Sequence, residues 1–255
     1  MFTNLLYTPQ FCEVAYLNEI FGHLEDLDNY HFIATEVNRH TGEFDLPEWG
    51  DHVVAMLVSN EHYKVPQHLD RVHRIWSQYV WKETDKLLAL PLGPVYDIPV
   101  LPYRPPSERS LDVFFSGQKH HHRQGVSRWR ELLEATGLKI EINETGYFRC
   151  GLNPQDYAEK LMDAKVALCP GGGGLESFRL FEAMRSGCAT ISYGLPENRL
   201  YVGSPTRQFW EWEELLVYTV RELLANIEEE SKNALQWYKD FYEPAAVAQH
   251  IRVNL

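Results

Sequence analysis

The stretch with the clearest chemical character is a run of four glycines, residues 171–174, between an apolar segment and a segment with helical spacing. Glycine has no Cβ atom, so backbone N–H groups in such a run can approach a phosphate closely, and the N-terminus of a following helix adds further donors. Ser177 can donate a hydroxyl hydrogen bond, and Arg179 can add charge-assisted ones. The pattern indicates a binding site for a diphosphate, and the alternative is a flexible glycine turn before an ordinary capped helix.

Two glutamates belong to the same segment. Glu182 follows Glu176 by six residues, nearly two helical turns, and its carboxylate could accept hydrogen bonds from both hydroxyls of a ribose. The segment is not a Walker loop, because no Gly-Lys-Ser/Thr follows the glycines, and it does not contain the GxGxxG fingerprint. The candidate binding residues of this segment are Gly173, Gly174, Glu176, Ser177, Arg179 and Glu182.

The second half of the chain alternates between predicted strands and helices. Alternation at these lengths predicts right-handed βαβ units on a parallel sheet, as in a doubly wound nucleotide-binding domain. Ligands of such sheets bind outside the carboxyl ends of the strands, which is where the glycine run lies. We expect strands at 111–115, 139–142, 165–169 and 189–192, and helices near 125–136, 154–162, 176–186 and 209–241.

The first hundred residues predict a smaller α/β region. Apolar and β-branched residues predict short strands at 31–37, 52–59 and 86–90. Apolar residues at helical spacing predict an amphipathic helix over 67–81. Six prolines between residues 91 and 106 indicate a linker between the two regions.

The charge balance and the cysteines narrow the possible partners and the cellular location. Twenty-four Lys and Arg against 36 Asp and Glu give a formal net charge of −12, which disfavours nucleic acid as a partner. The four cysteines form no CxxC pair, as expected for free thiols in a reducing compartment. The N-terminus lacks a signal-peptide pattern, and no run approaches the ~18 apolar residues of a spanning helix. We therefore expect a cytoplasmic protein without an integral membrane segment.

Several motifs resemble the catalytic domain of the exostosin-like glycosyltransferases. The strongest resemblance is the block Ser177-x-Arg179-Leu180-Phe181-Glu182-Ala183-x-x-x-Gly187-Cys188, preceded by Leu168-Cys169-Pro170. The stretch 112–118, followed by Arg123, is similar to that family's strand–Ser–Gly turn with a phosphate-binding arginine, and Leu90-Pro91-Leu92-Gly93 resembles its Pro-Leu-Gly step. A weaker resemblance covers 58–61 and 75–79, with Asn60 in place of the usual Asp. The resemblance covers roughly residues 53–195.

The resemblance implies an α/β chain of the GT-B class, with two Rossmann-like domains whose parallel sheets face each other across a cleft. It implies an N-terminal acceptor-side domain over 1–104 and a C-terminal nucleotide-sugar-binding domain over 105–242, with a tail, 243–255, that packs back on the N-terminal domain. On this basis the diphosphate of the donor would contact Ser116, Gly117 and Arg123. Its cradle would be completed by Ser177 and Arg179, and Glu182 would hold the ribose.

The same resemblance implies a glycosyltransferase that moves a sugar from a nucleoside-diphosphate donor to a hydroxyl of a glycan or glycoconjugate, as in polysaccharide biosynthesis. The expected donor is a UDP-sugar. Family members invert the anomeric centre, and positive charge rather than an obligatory metal cofactor helps the diphosphate to leave. Glu61, which follows a buried predicted strand, is the candidate base, and His62 is the second candidate. The Glu-x7-Glu pattern of retaining GT-B enzymes is absent, because Gly174 stands eight residues before Glu182.

Three alternatives stay open on the sequence alone. Asn60 and the short N-terminal half would also suit a non-catalytic nucleotide-sugar-binding module that works beside another transferase, and the same architecture could serve a sugar-nucleotide epimerase. Glu61 could be an ordinary solvated loop residue. His120, His121 and His122 are adjacent in one predicted loop and cannot easily face one ion together, so we expect no metal site there.

Overall fold

The computed structural model describes residues 5–6, 12–95, 97–120, 123, 125–147, 150–209 and 215–255. The chain forms two compact units. The first unit comprises Met1–Tyr96, Pro196–Val202 and Asp240–Leu255, and the second comprises Asp97–Leu195 and Gly203–Lys239. No helix among the described residues is long and apolar enough to cross a membrane.

The first unit is built on a five-stranded parallel sheet in the order β1-β2-β3-β4-β5. The strand β3 is buried from Val53 to Val58, as expected for a central parallel strand that is covered on both faces. The strands are β1 (Leu5–Leu6), β2 (His31–Glu36), β3 (Gly50–Val58), β4 (Val72–Ser77) and β5 (Leu87–Ala89).

Two helices cover one face of this sheet: α1 (Val14–Gly22) and, from the end of the chain, α7 (Pro244–Val253). Their buried side chains join those of the strands in one apolar core, in which Leu17 of α1 and Ile251 of α7 lie with Trp76 of β4. The hydroxyl of Tyr242 donates to the backbone oxygen of Leu200 at 2.6 Å. The segments around 200 and 242 are thereby joined within the first unit.

The predicted helix over 67–81 is wrong. The chain forms a 3₁₀ turn at Leu69–Arg71 and then β4, which pairs with β3 on one side and β5 on the other. The apolar residues at helical spacing include β-branched and aromatic side chains, which suit a central strand, and pairing on both sides overrides the helical period. His68, just before the turn, has a left-handed φ of 59°, which is incompatible with a continuous helix.

The second unit is the doubly wound α/β domain that the sequence predicts. Its five parallel strands follow the order β10-β9-β8-β6-β7, and α2 and α5 pack together over β6, β8 and β9 in one apolar core. The strands are β6 (Leu111–Gln118), β7 (Ile140–Thr145), β8 (Ala164–Cys169), β9 (Ala189–Tyr193) and β10 (Arg207–Phe209). The helices are α2 (Val126–Glu134), α3 (Pro154–Asp163), α4 (Phe178–Arg185), α5 (Leu216–Ala225) and α6 (Ile227–Trp237).

The single long helix predicted over 209–241 is also wrong. Residues 207–209 form β10, residues 210–214 lie outside the described part of the chain, and the remainder forms α5, α6 and a π-helical turn at Tyr238–Tyr242. Asn226 separates α5 from α6 with non-helical φ and ψ angles of −120° and 24°. Asparagine commonly occupies such a break, because its side chain competes for backbone hydrogen bonds, and here it donates to the oxygen of Glu222 at 3.2 Å.

Candidate functional site

The strand order of the second unit creates a topological switch point between β6 and β8. The chain leaves β6 towards β7 on one side and returns through α3 to β8 on the other side of β6. In open parallel sheets the crevice at the carboxyl ends of two such strands is the usual binding site. Here β6 carries Ser116 and Gly117 near its carboxyl end. β8 ends at Cys169, and Pro170 and the glycine run follow it.

Two buried arginines converge on this switch point. Arg123 and Arg179 are each 8% exposed, and their guanidinium carbons lie 5.9 and 4.5 Å from the ring centroid of Phe115, on β6. Arg123 donates from Nε to the oxygen of Gly171 at 2.8 Å and from Nη1 to the oxygen of Gln118 at 2.9 Å. These bonds attach Arg123 to the glycine run on one side and to the end of β6 on the other.

The two positive charges are buried close enough together to repel each other. Burial and, to a smaller extent, the positive charge of Arg179 together lower the pKa of Arg123 to about 9. Arg179 donates to the backbone oxygen of Ser116, but its Nε and Nη1 are buried without a hydrogen-bond partner among the described residues. Neither arginine forms an ion pair with a described carboxylate. A buried cationic pair of this kind needs an anion, because desolvated charges are stable only when they are paired.

The glycine run forms a tight loop next to the arginines. The N–H of Gly172 donates to the oxygen of Glu176 at 3.1 Å, and a Cβ atom on Gly171 would collide with the backbone of Gly174. Gly173 lies exposed at the loop, whereas the adjoining Gly174 is buried. Position 171 therefore requires glycine for steric reasons.

The hydroxyl of Ser177 is a free buried donor at the start of α4. Ser177 occupies the N-cap position and is 7% exposed, but its side chain makes no capping hydrogen bond. Its Oγ has no hydrogen-bond partner among the described residues. Gly187, near the end of the same motif, terminates α4. Its φ is 71°, and its N–H donates to the oxygen of Met184 at 3.0 Å.

Glu182 is held by a residue that the sequence does not single out. The hydroxyl of Tyr157, on α3, donates to Glu182 Oε2 at 2.8 Å, and Glu182 is only 4% exposed. Burial raises the pKa of Tyr157 well above its usual value, and the negative charge of Glu182 adds to the rise. One carboxylate oxygen of Glu182 is therefore already hydrogen-bonded within the protein. Glu176 is 1% exposed, and its backbone oxygen closes the glycine loop.

The first unit contains an open polar cleft of about 600 Å³ at the carboxyl ends of β2 and β3. Glu61 lines the cleft, and its Oε2 lies 3.5 Å from Nη1 of Arg39. His62 is exposed and packs edge-to-face on His40, with ring centroids 4.8 Å apart. The cleft-lining residues are Glu36, Val37, Asn38, Arg39, His40, Glu43, Ser59 and Glu61.

Asn60, which stands where the resembling family has Asp, is fully buried and holds the turn that carries Glu61. Its Nδ2 donates to the oxygen of Lys64 at 2.7 Å, and its Oδ1 accepts from the N–H of Lys64 at 3.0 Å. The first of these bonds needs an amide, because a carboxylate cannot donate. Asn60 is therefore a structural residue of this turn.

Glu13 is a buried carboxyl that sequence reasoning missed. It precedes α1 and is 5% exposed. The pKa of Glu13 is raised to about 7, chiefly by burial and also by the negative charges of Glu61 and Glu36, against the opposing effect of hydrogen bonds from its own backbone and from Gln78. The sequence pattern predicts no strand before residue 31, so it contained no signal that would place Glu13 at the carboxyl edge of the sheet.

The structure thus brings the predicted residues into two groups. The residues of the second unit gather at the switch point: Ser116, Gly117, Arg123, Gly173, Gly174, Glu176, Ser177, Arg179 and Glu182. Glu61 and His62 belong to the first unit. Phe115 and Tyr157 were missed because an aromatic residue in a strand or helix normally predicts core packing. His121 and His122 lie outside the described residues.

No protein-family model matches the chain, and no curated protein matches it in sequence. Solved structures do match. One is AviGT4, described as a glycosyltransferase involved in avilamycin A biosynthesis, with a TM-score of 0.50 and 12% identity over 96% of this chain and 88% of that one. Another is the GtfA/B complex, with a TM-score of 0.53 and 10% identity over 94% of this chain and 60% of that one.

These likenesses, together with two α/β units on parallel sheets, show that the chain has the GT-B fold, which confirms the predicted fold class. At this level of identity the likeness establishes the fold alone, so the chemistry has to be argued from the site.

Proposed function

We propose that the protein is a glycosyltransferase of the exostosin-like type, which transfers a sugar from a UDP-linked donor to a hydroxyl of a glycan or glycoconjugate with inversion. The observation that carries this proposal is the pair of buried arginines, Arg123 and Arg179, at the switch point of the second unit. A diphosphate would supply the negative charge that this pair needs. The GT-B fold, shared with AviGT4, supports a sugar nucleotide as the carrier of that diphosphate.

On the donor side, Arg179 Nε and Nη1 and Ser177 Oγ would donate to the phosphate oxygens, since these three groups are buried and unpartnered within the described chain. Arg123 would add its charge from the position fixed by Gly171 and Gln118. Glu182, oriented by Tyr157, would accept from the ribose hydroxyls. The exposed backbone at Gly173 leaves room for the ligand to approach.

In the reaction, the acceptor oxygen forms a bond to the anomeric carbon while the bond from that carbon to the diphosphate breaks. The acceptor proton passes to a base, and the electron pair leaves with the nucleoside diphosphate. We propose Glu61 as the base, because it lines the cleft of the first unit, with His62 as the second candidate. Glu13 is too buried to contact an acceptor and would act on Glu61 through its charge. The arginine pair would stabilise the leaving diphosphate, so the scheme needs no obligatory metal.

A screen of nucleotides by thermal unfolding tests the donor assignment. A ligand that binds only the native state raises the unfolding temperature, so UDP, GDP, dTDP and CMP can be compared without an acceptor. We expect UDP to give the largest shift. In Arg179→Ala the loss of charge-assisted bonds, typically about 1.5–3 kcal/mol, should weaken UDP binding on the order of 10- to 100-fold in calorimetry.

Arg128→Ala is the matched control. Arg128 lies exposed on α2 of the same unit and, among the described residues, forms an ion pair with Glu131 alone, at 2.9 Å, so its loss should leave UDP affinity unchanged. The same UDP affinity in Arg179→Ala as in Arg128→Ala would refute the diphosphate assignment. A protein that binds UDP but never hydrolyses or transfers a UDP-sugar would instead be the non-catalytic binding module, and scrambled donor stereochemistry without an acceptor would identify an epimerase.

A further inference from the structure

A cluster of two histidines and one glutamate lies in the first unit, at the opposite end of β2 from the cleft that Glu61 lines. His31 is the first residue of β2, His52 is near the start of β3, and Glu48 lies in the connection between these strands. Parallel pairing places His31 opposite Val53, next to His52. The sheet therefore brings three side chains with metal-binding atoms together at the amino ends of two neighbouring strands.

The separations suit a single metal ion. One ligand atom from each residue lies within 4.8 Å of the other two. Ligand atoms around a tetrahedral ion are roughly 3.4 Å apart when the bonds to the ion are about 2.1 Å. His52 Nε2 lies 3.7 Å from Glu48 Oε2, His31 Nδ1 contacts Glu48 Oε1, and the two imidazole rings pack edge-to-face at 5.0 Å. Small rotations of the three side chains would bring their ligand atoms to the distances that one ion requires.

The surroundings allow an ion to enter and the side chains to adjust. The side chains of His31, Glu48 and His52 are 44%, 37% and 48% exposed. Three protein ligands with an open side leave a coordination position for water. Two imidazoles and a carboxylate favour borderline divalent ions such as Zn²⁺ over the hard cations Mg²⁺ and Ca²⁺, which prefer oxygen ligands.

The position of the cluster separates it from the cleft that holds Glu61. β2 has six residues, so its first residue, His31, and its last, Glu36, lie roughly 16 Å apart at about 3.3 Å per residue. Glu36 lines the cleft, whereas His31 belongs to the cluster. An ion at the cluster could not touch a substrate in the cleft. Because Glu48 follows the cleft-lining stretch 37–43 in the same connection, the ion would anchor the end of that connection to the sheet.

We propose that His31, Glu48 and His52 bind one Zn²⁺-type divalent ion in an open, three-ligand site that fastens the connection between β2 and β3. The test uses the full chain, freed of metal with a chelator and titrated with Zn²⁺ by calorimetry. We expect one ion per chain at this site and a rise in the unfolding temperature with Zn²⁺, because the ion binds the native state. Mg²⁺ should give neither effect.

Glu48→Gln and His52→Ala each remove a ligand and should weaken Zn²⁺ binding on the order of 10-fold or more. His23→Ala removes an exposed histidine elsewhere in the same unit and should leave binding unchanged. Zn²⁺ affinity that is the same in all three variants would assign the ion to other groups, such as the partly exposed Cys12 and Cys150, and would overturn the proposal. Absence of any Zn²⁺ binding would overturn it too. UDP binding by Glu48→Gln should equal that of the unmodified chain, so failure of this site is distinguishable from failure of the donor site.

Discussion

Arg123 and Arg179 are buried together against the ring of Phe115, and burial, reinforced by the positive charge of Arg179, lowers the pKa of Arg123. Two like charges in a poorly solvated environment repel each other, and burial also removes the favourable hydration of each charge. The diphosphate of the proposed donor would offset this repulsion, because it would bring negative charge to the pair.

Gly117 is predicted to be required for this site rather than for the fold. A Cβ atom at this position would lie 3.1 Å from Arg123 Nη1 and closer still to the guanidinium of Arg179. Because those atoms are the far ends of flexible side chains, Gly117→Ala should displace them with little loss of stability. We expect UDP affinity to fall on the order of 10-fold, about 1.4 kcal/mol, in calorimetry.

Gly146→Ala provides the control for Gly117→Ala. Gly146 belongs to the same unit, and a Cβ atom there would meet nothing within 4 Å. Its UDP affinity should match that of the unmodified chain. Equal affinities for both glycine variants would mean that the guanidinium groups do not contact the nucleotide.

Glu61 is predicted to affect turnover and not donor binding. Glu61→Gln keeps the size of the side chain but cannot take the proton of an attacking hydroxyl. If Glu61 is the base, hydrolysis of a UDP-sugar by water should fall on the order of 10²- to 10⁴-fold, the usual contribution of a general base. UDP affinity should stay the same, because the donor residues are unchanged.

Glu25→Gln, an exposed substitution in the same unit, is the control for the hydrolysis assay and should have no effect. Unchanged hydrolysis in Glu61→Gln would eliminate Glu61 as the base, and the next variant to measure is then His62→Ala.

Asn60→Asp, which restores the residue usual in the resembling family, is predicted to destabilise this protein. The carboxylate cannot donate to the oxygen of Lys64, which Asn60 Nδ2 meets at 2.7 Å in a fully buried position. Loss of a buried hydrogen bond with an unsatisfied partner costs about 1–3 kcal/mol, measurable as a lower midpoint of urea unfolding.

Asn38→Asp is the control for Asn60→Asp. Asn38 is exposed and its Oδ1 accepts from the N–H groups of His40 and Thr41, a role that Asp retains. Its unfolding midpoint should hardly move. A similar small shift in Asn60→Asp would show that the turn does not depend on the amide.

The parts of the fold that the sequence predicts well are those with strong local patterns. The alternation of strands and helices after residue 110 and the glycine run before α4 correctly predict the doubly wound unit, because short βαβ connections leave few arrangements. The sequence fails at β4, where partners on both sides determine the conformation of a segment whose apolar spacing is helical. It also misses the break at Asn226, which depends on a single residue.

The site is predictable to the extent that its residues are adjacent in the chain. Ser177 and Arg179 share one motif. By contrast, Phe115 contacts the arginines because of the position of β6, and Tyr157 contacts Glu182 because of the position of α3. The cluster of His31, Glu48 and His52 has no recognisable spacing, because parallel strand pairing brings it together. Contacts of this kind require knowledge of the register of the sheet.

Glu13 is predicted to make the stability of the protein depend on pH. The pKa of this carboxyl is raised from 4.5 to about 7, chiefly by burial. Between pH 4.5 and pH 7 the carboxyl is therefore mostly protonated in the folded chain and mostly ionised in the unfolded chain. The contribution of Glu13 to the free energy of unfolding is therefore fully present below pH 4.5 and is lost as the pH rises through 7. At 1.36 kcal/mol per pKa unit, the loss is about 3 kcal/mol.

Glu13→Gln should remove this dependence, because the amide stays neutral at every pH. The free energy of unfolding of the variant minus that of the unmodified chain should be about 3 kcal/mol larger at pH 8 than at pH 4.5. Urea unfolding of both proteins at both pH values measures this change. The exposed substitution Glu25→Gln should show the same difference from the unmodified chain at both pH values. If Glu13→Gln behaves like Glu25→Gln, Glu13 is ionised in the folded chain at neutral pH, and its carboxylate then adds a full negative charge next to Glu61.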